Sequence, residues 1–279
     1  MLLDFLNEYY QADLEVIHDE AGNKHLIGKS KVFDSDLFVK IFKDKDKFYA
    51  ERNVNQVYCP DIYLDNVIYE ENYVIVLRDR NMLEVTKEEL TPDMAYEFGQ
   101  MLAKFHKKVT GQVLVPNDKR TLSVRVKEKL ARFKDTAYEE NVLKIYDLLK
   151  SEEKAADTDY ALLPKVVLHG DFSLRNLMIY NENNVLIDFE RAHVGVSYED
   201  LIKFFFNEVI DLKDRNAFIS GYRSQNELEI PNQSLQKYLL FLCALDILDF
   251  HLTHKKQKFG QMADAMFETI KRDEAILKL

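Results

Sequence analysis

A chain of 279 residues is too long for one small core and suits two lobes, or one domain with a cap. Hydrophobic residues make up 47% of it and charged residues 31%, a balance that excludes an intrinsically disordered chain. The formal net charge of −10 argues against the basic face that nucleic-acid binding needs, and no apolar run is long enough to span a bilayer. Neither a nucleic-acid nor a membrane partner is expected. Cys59 and Cys243 form no metal or redox pattern and read as reduced core residues. The opening Met-Leu-Leu-Asp-Phe-Leu has an early aspartate and no basic region, unlike a signal peptide, so the expected location is cytoplasmic.

From the N-terminus, Leu2 to Tyr10 has the spacing of a short amphipathic helix, and Leu14 to Ile17 that of a first strand before a turn at Gly22-Asn23. Gly28 to Phe33 leads through a tight Asp34-Ser35-Asp36 turn into a strand over Leu37 to Phe42. The links are too short for crossovers, so the strands form an antiparallel meander. Glycine and small residues let a backbone close over phosphates, which makes Gly28 and Ser30 the candidate phosphate-covering loop and Gly22 the alternative. An ordinary hairpin turn explains the same residues, and there is no G-x-G-x-x-G or Walker sequence. Lys40 lies inside the apolar Phe38-Val39-Lys40-Ile41, where it either faces solvent or reaches nucleotide phosphates and pairs with a helical glutamate. A helix over Lys47 to Val57 carries Glu51 in its middle, so Lys40 and Glu51 are the natural pair; the helix stops before Cys59-Pro60. Strands over Ile62 to Tyr69 and Tyr73 to Leu77 follow, and the charged Arg78-Asp79-Arg80 marks a hinge between residues 1–78 and 79–279.

Thr91 and Pro92 open a helix with Met94, Phe98, Met101, Leu102 and Phe105 on one face, beside which His106 reads as structural. Val124 to Phe133 and Tyr138 to Leu149 read as two more helices, and the acidic Ser151 to Asp159 as a loop. A strand-like Val166-Val167-Leu168 then delivers the stretch that carries the chemistry, His169 to Glu190. Asp171 and Asn176 are separated by four residues, the spacing of the H-x-D-x-x-x-x-N loop of kinases. Asp188 ends the apolar Val185-Leu186-Ile187 and precedes Phe189, as the aspartate of D-F-G does. On this pattern Asp171 orients an acceptor hydroxyl and takes its proton, while Asn176 and Asp188 offer hard oxygen donors to Mg2+. Arg175 supplies positive charge at the position next to Asn176, or forms a structural ion pair; Ser173 stands where many protein kinases have lysine.

With H-G-D in place of H-R-D, I-D-F-E in place of D-F-G, and Asp200-Leu201 after Tyr198-Glu199, the chain resembles the aminoglycoside phosphotransferase and choline kinase group of the protein-kinase-like superfamily. The resemblance implies an α+β, two-lobe fold with a small antiparallel-sheet lobe bearing one helix and a larger, mainly helical lobe. It implies ATP (or GTP) with Mg2+, and transfer to the hydroxyl of a small molecule. Asp200 would brace the catalytic loop. Beyond Leu201 to Ile210, a long apolar helix over Leu235 to Leu252 carries Asp246 and Asp249 on one face, and Met262 to Leu279 reads as a last amphipathic helix. Helices here wall the acceptor site in the resembling group, so Asp246 and Asp249 are candidate substrate contacts, with an ion-paired face as the alternative. The competing expectation is a pseudokinase that binds nucleotide or a partner without turnover; the missing activation segment speaks against a protein kinase.

Overall fold

The computed structural model describes residues 1–20 and 23–274. Its first part is a five-stranded antiparallel sheet in the order β1 (Glu15–Glu20), β2 (Asn23–Ser30), β3 (Ser35–Phe42), β5 (Asn72–Arg78), β4 (Tyr63–Tyr69). The period-2 alternation of β3 explains how the sheet is covered on both faces. Leu37, Val39 and Ile41 join Leu26, Val74 and Val76 under helix α1 (Leu2–Tyr9), which contributes Leu6. Phe42, Ile75 and Leu77 face the opposite way, toward helix α2 (Lys45–Tyr58) and the main core of the molecule. Lys40 belongs to that second face, so it points inward rather than to solvent. Asp44 caps α2 by accepting from the amides of Asp46 and Lys47.

The rest of the chain is mainly helical. After β6 (Leu83–Glu84) come α3 (Pro92–Lys108), α4 (Leu122–Ala131), α5 (Glu139–Leu149) and α6 (Glu153–Leu162). Then the stretch from His169 to Glu190 is carried by β7 (Val166–Leu168), the hairpin of β8 (Leu177–Tyr180) and β9 (Asn183–Leu186), and β10 (His193–Gly195), which pairs with β7. Helices α7 (Glu199–Asn207), α8 (Leu212–Arg223), α9 (Gln233–His254) and α10 (Gln257–Lys271) complete the fold. Helices α3 and α8 cross in backbone contact: a Cβ on Gly99 would lie 2.0 Å from the Phe218 carbonyl oxygen, and one on Gly221 1.9 Å from that of Tyr96. Helix α9 is apolar around most of its circumference because α4, α6, α7 and α10 surround it. No helix among the described residues is long and apolar enough to cross a membrane.

Two expectations change. Residues 151–159 are not a loop: α6 occupies most of them, its Ala156 is buried, and Asp157 accepts from both the amide and the hydroxyl of Ser123. Acidic residues in a first turn favour a helix, so the charge run was no sign of irregular chain. The last helix begins at Gln257 and ends at Lys271, earlier at both ends than its apolar spacing suggests; residues 275–279 lie outside the described residues.

Candidate functional site

The site forms where the inner face of the sheet meets the β7–β10 region. The Lys40 ammonium, delivered by β3, lies 2.8 Å from Glu51 Oε1 on α2 and 2.8 Å from Asp188 Oδ1 after β9. The residue after Leu186 and Ile187 leaves the strand with φ near +67°, a conformation aspartate tolerates, and this turns Asp188 toward the lysine. Burial pushes the Asp188 carboxyl up, but the Lys40 ammonium outweighs it and holds the group at about 2. Burial also pulls against the charge on Lys40, yet its two carboxylate partners hold the ammonium above the ordinary lysine value. For Glu51 burial prevails and raises its value, and its Oε2 is enclosed without a hydrogen-bond partner. Two carboxylates share one ammonium, so the cluster is one positive charge short.

Asp171 and Asn176 stand on the loop between β7 and β8. The Asn176 amide NH2 donates to the Asp171 carbonyl at 2.9 Å, which fixes the orientation of its side-chain oxygen. The Asp171 carboxylate is nearly enclosed; Lys203 of α7 donates to Oδ1 at 2.6 Å and Arg175 to Oδ2. Burial raises its pKa, but Lys203 and Arg175 outweigh burial and leave it below the usual carboxylate range.

The loop is braced from below. Asp200, at the start of α7, accepts from the His169 amide (2.8 Å), the Gly170 amide (2.9 Å) and His106 Nε2 (3.0 Å). His106 in turn meets the Tyr222 hydroxyl at 2.7 Å. Gly170 has φ near +78°, and a Cβ there would lie 2.1 Å from the Arg191 carbonyl oxygen, so the middle residue of H-G-D must be glycine. Phe189 stacks on Phe105 with ring centres 5.6 Å apart, anchoring the chain beyond Asp188. Glu190, at the position of the glycine of D-F-G, ties β2 and α2 to the chain after β9 through Asn23 and through Lys47 at 2.9 Å.

His169 bridges the two halves of the stretch. Its Nδ1 accepts from the Asp171 amide, and its Nε2–H donates to the Ile187 carbonyl at 2.9 Å. Only the neutral ring serves both, and burial lowers its pKa accordingly. The unfolded chain takes up this proton near pH 6.5 and the folded chain only at lower pH. Stability is therefore fully present above about pH 6.5 and falls with acidification below it, by at most about 1.4 kcal/mol per pH unit. Urea unfolding of the protein and of His169→Gln between pH 5 and pH 7.5 should show a steeper loss in the parent; equal slopes would remove His169 from the acid sensitivity.

Two cavities flank these residues. One, of about 360 Å3, is lined by Ile27, Phe38, Lys40, Met82, Leu186 and Asp188. The other, of about 430 Å3, runs from Asp171 and Lys203 to α9. Asp246 and Asp249 line the second, but Lys129 pairs with the first and Arg132, at 2.9 Å, with the second. Gly28 and Ser30 are not part of the site. Gly28 packs against the backbone of Asp13 and Leu14, and the Ser30 hydroxyl donates to the Tyr10 carbonyl at 2.6 Å. They lie at the far end of β2, Ser30 about 23 Å of strand from Asn23. The alternative, Gly22, lies outside the described residues. Lys203 and Arg191 were not anticipated. Lys203 had a signal in Asp200-x-x-Lys203, two charges one turn apart in a phenylalanine-rich helix; Arg191, an exposed arginine, had none.

Among the described residues no group of three or more His, Cys, Asp or Glu side chains is placed to hold a metal by itself. A carboxylate, an amide oxygen and a missing positive charge do fit a divalent ion that shares its ligands with phosphates.

The chain spans the full length of several solved structures with low identity. It is 16% identical to the crystal structure of aminoglycoside phosphotransferase APH(4)-Ia, covering 98% of each chain with a TM-score of 0.67. It is 15% identical to a choline/ethanolamine kinase family protein from Mesorhizobium loti (98% and 95% covered, TM-score 0.62). It is 12% identical to choline kinase LicA from Streptococcus pneumoniae (98% of each chain, TM-score 0.67). These likenesses establish the two-lobe, kinase-like fold. A comparison with curated protein sequences finds no match. The model of the phosphotransferase enzyme family matches residues 39–232, from the strand of Lys40 to the residue that caps α9, and the chain belongs to that family.

Proposed function

We propose that the protein transfers the γ-phosphoryl group of ATP to a hydroxyl of a small molecule, with Mg2+ as cofactor. The observation that carries this is Lys40 bridging Glu51 and Asp188 at 2.8 Å while Asp171 and Asn176 stand together on the adjoining loop. The 360 Å3 cavity would take the base and ribose, with the hinge at Arg78–Arg80 between the lobes at its edge. Lys40 would turn its ammonium to the phosphates while Glu51 keeps it in place. Asn176 and Asp188 would hold the metal, which when bound neutralises phosphate charge. Asp171 would align the acceptor hydroxyl and take its proton late, since its two cationic neighbours make it a weak base. Solved neighbours support nucleotide and small-molecule use: one is a ternary complex with ADP and hygromycin B, another holds AMP-PNP and amicoumacin.

A thermal-shift titration tests nucleotide binding. Linkage gives about 2.7 kcal/mol at a hundredfold excess over Kd, so Mg-ATP should raise Tm by roughly 5–10 °C. Lys40→Met should lose most of that shift. No shift with ATP or GTP, with or without magnesium, would sink the proposal. Binding without ADP release on any of a panel of amino-sugars, choline-like alcohols and sugars would mark the inactive, nucleotide-binding alternative.

A further inference from the structure

The acceptor side of Asp171 carries an unusual charge arrangement. Both of its carboxylate oxygens are taken, Oδ2 by Arg175 and Oδ1 by Lys203 at 2.6 Å. An acceptor hydroxyl needs one of them. Arg175 is 58% exposed and stands beside Asn176, free to turn toward a phosphate. Lys203 lies on the acceptor side, and its side chain is only 23% exposed. Taking Oδ1 from it strands a largely buried ammonium unless another anion arrives.

The cavity has no spare acid to serve. Glu199 Oε1 accepts from the Tyr160 hydroxyl and the Val196 amide, and its Oε2 is 3.8 Å from Arg125. Asp200 is committed to the loop amides and His106, while Asp246 and Asp249 hold Lys129 and Arg132. Behind Lys203, Glu208 is engaged by the Leu174 amide at 2.6 Å and by Asn207. On the other side, Arg191 lines the same cavity, is exposed, and makes no side-chain hydrogen bond or ion pair among the described residues.

Resting on the kinase reading above, we propose that the acceptor is an alcohol bearing an oxyanion, carboxylate or phosphate, close to its reacting hydroxyl, and that Lys203 and Arg191 hold that oxyanion. Binding moves Lys203 from Asp171 Oδ1 to the substrate anion and leaves Oδ1 for the hydroxyl. The bond from the γ-phosphorus to the ADP oxygen then breaks, a bond to the acceptor oxygen forms, and the hydroxyl proton passes to Asp171. A cationic alcohol in the same place would meet Lys203, Arg175 and Arg191 at close range.

Calorimetric titration of the full chain separates this from the kinase reading. The first arm is Mg-AMP-PNP alone; absence of binding there refutes the kinase reading and the proposal with it. The AMP-PNP-saturated protein is then titrated with glycerate, glycerol 3-phosphate, glycerol and choline. At least one of the two anions should bind about tenfold or more tightly than glycerol and choline, as a charge-assisted pair implies, and the better of the two tells carboxylate from phosphate. Lys203→Gln should erase most of that preference. Arg191→Gln, at an exposed position with no side-chain hydrogen bond or ion pair to lose, should reduce it with the fold intact. Glycerol or choline binding as well as both anions, or none of the four binding to protein that holds AMP-PNP, overturns the proposal and leaves the kinase reading standing.

Discussion

Asp171→Asn should lower phosphoryl transfer by roughly 10²–10⁴-fold while leaving the thermal shift with Mg-ATP nearly intact. The amide cannot take the hydroxyl proton, and it offers one acceptor oxygen where the carboxylate offers two. One of the two cations now on Asp171 then faces an NH2 group. With the amide oxygen left on Lys203, that cation is Arg175, which is 58% exposed and turns to water, so the structural consequence is small. The variant should stay folded, with Tm within a few degrees of the parent. The nucleotide contacts proposed for Lys40 and Asp188 lie on other elements and are untouched. Initial rates of ADP release with a saturating acceptor, set beside the Mg-ATP shift, give the check. A variant that retains more than about a tenth of parental turnover would take Asp171 out of the proton transfer.

The parts legible in the sequence were those fixed by local spacing. The Asp171 and Asn176 pair, the strand that leads to Asp188, and the two-lobe order of elements all sit within short stretches whose pattern dictates their geometry. Lys40 was open between solvent and interior, because an alternating strand has two faces and only the packing of α2 and the helical lobe shows which one is buried. Gly28 and Ser30 drew attention through their residue types, but the strand register puts them against α1 and the chain after it. The cavity proposed for the acceptor was the least legible. Its wall joins Arg191, Lys203 and the α9 residues Cys243 and Asp246, brought together by helix packing with no periodic signal in the chain. Asp246 and Asp249 were visible as a same-face pair, whereas their neutralisation by Lys129 and Arg132 depends on α4 and the residue after it lying alongside α9.

Asp200→Ala should be the most destabilising single change at the site, by about 3–5 kcal/mol out of a total of about 5–15 for a domain of ordinary stability. The side chain is nearly fully enclosed, and its removal leaves the His169 amide, the Gly170 amide and His106 Nε2 without an acceptor. Burial works against the Asp200 charge, but His106 and the loop amide of Gly170 outweigh it and hold the carboxyl below its ordinary value. Asp200→Asn separates the charge from the geometry. With its oxygen in the place of Oδ2 it still accepts from the His169 amide and His106, and only the Gly170 amide is left facing an NH2 group. That predicts a smaller cost, about 1–3 kcal/mol, the usual range for one unsatisfied buried donor. Urea unfolding at pH 7.5 should rank parent, Asn and Ala in that order. Since Gly170 and His169 precede Asp171 directly, turnover should follow the same order even where both variants remain folded at the assay temperature. An alanine variant that loses less than about 1 kcal/mol would mean that the β7–β10 pairing and the Phe105–Phe189 stack hold the loop without Asp200.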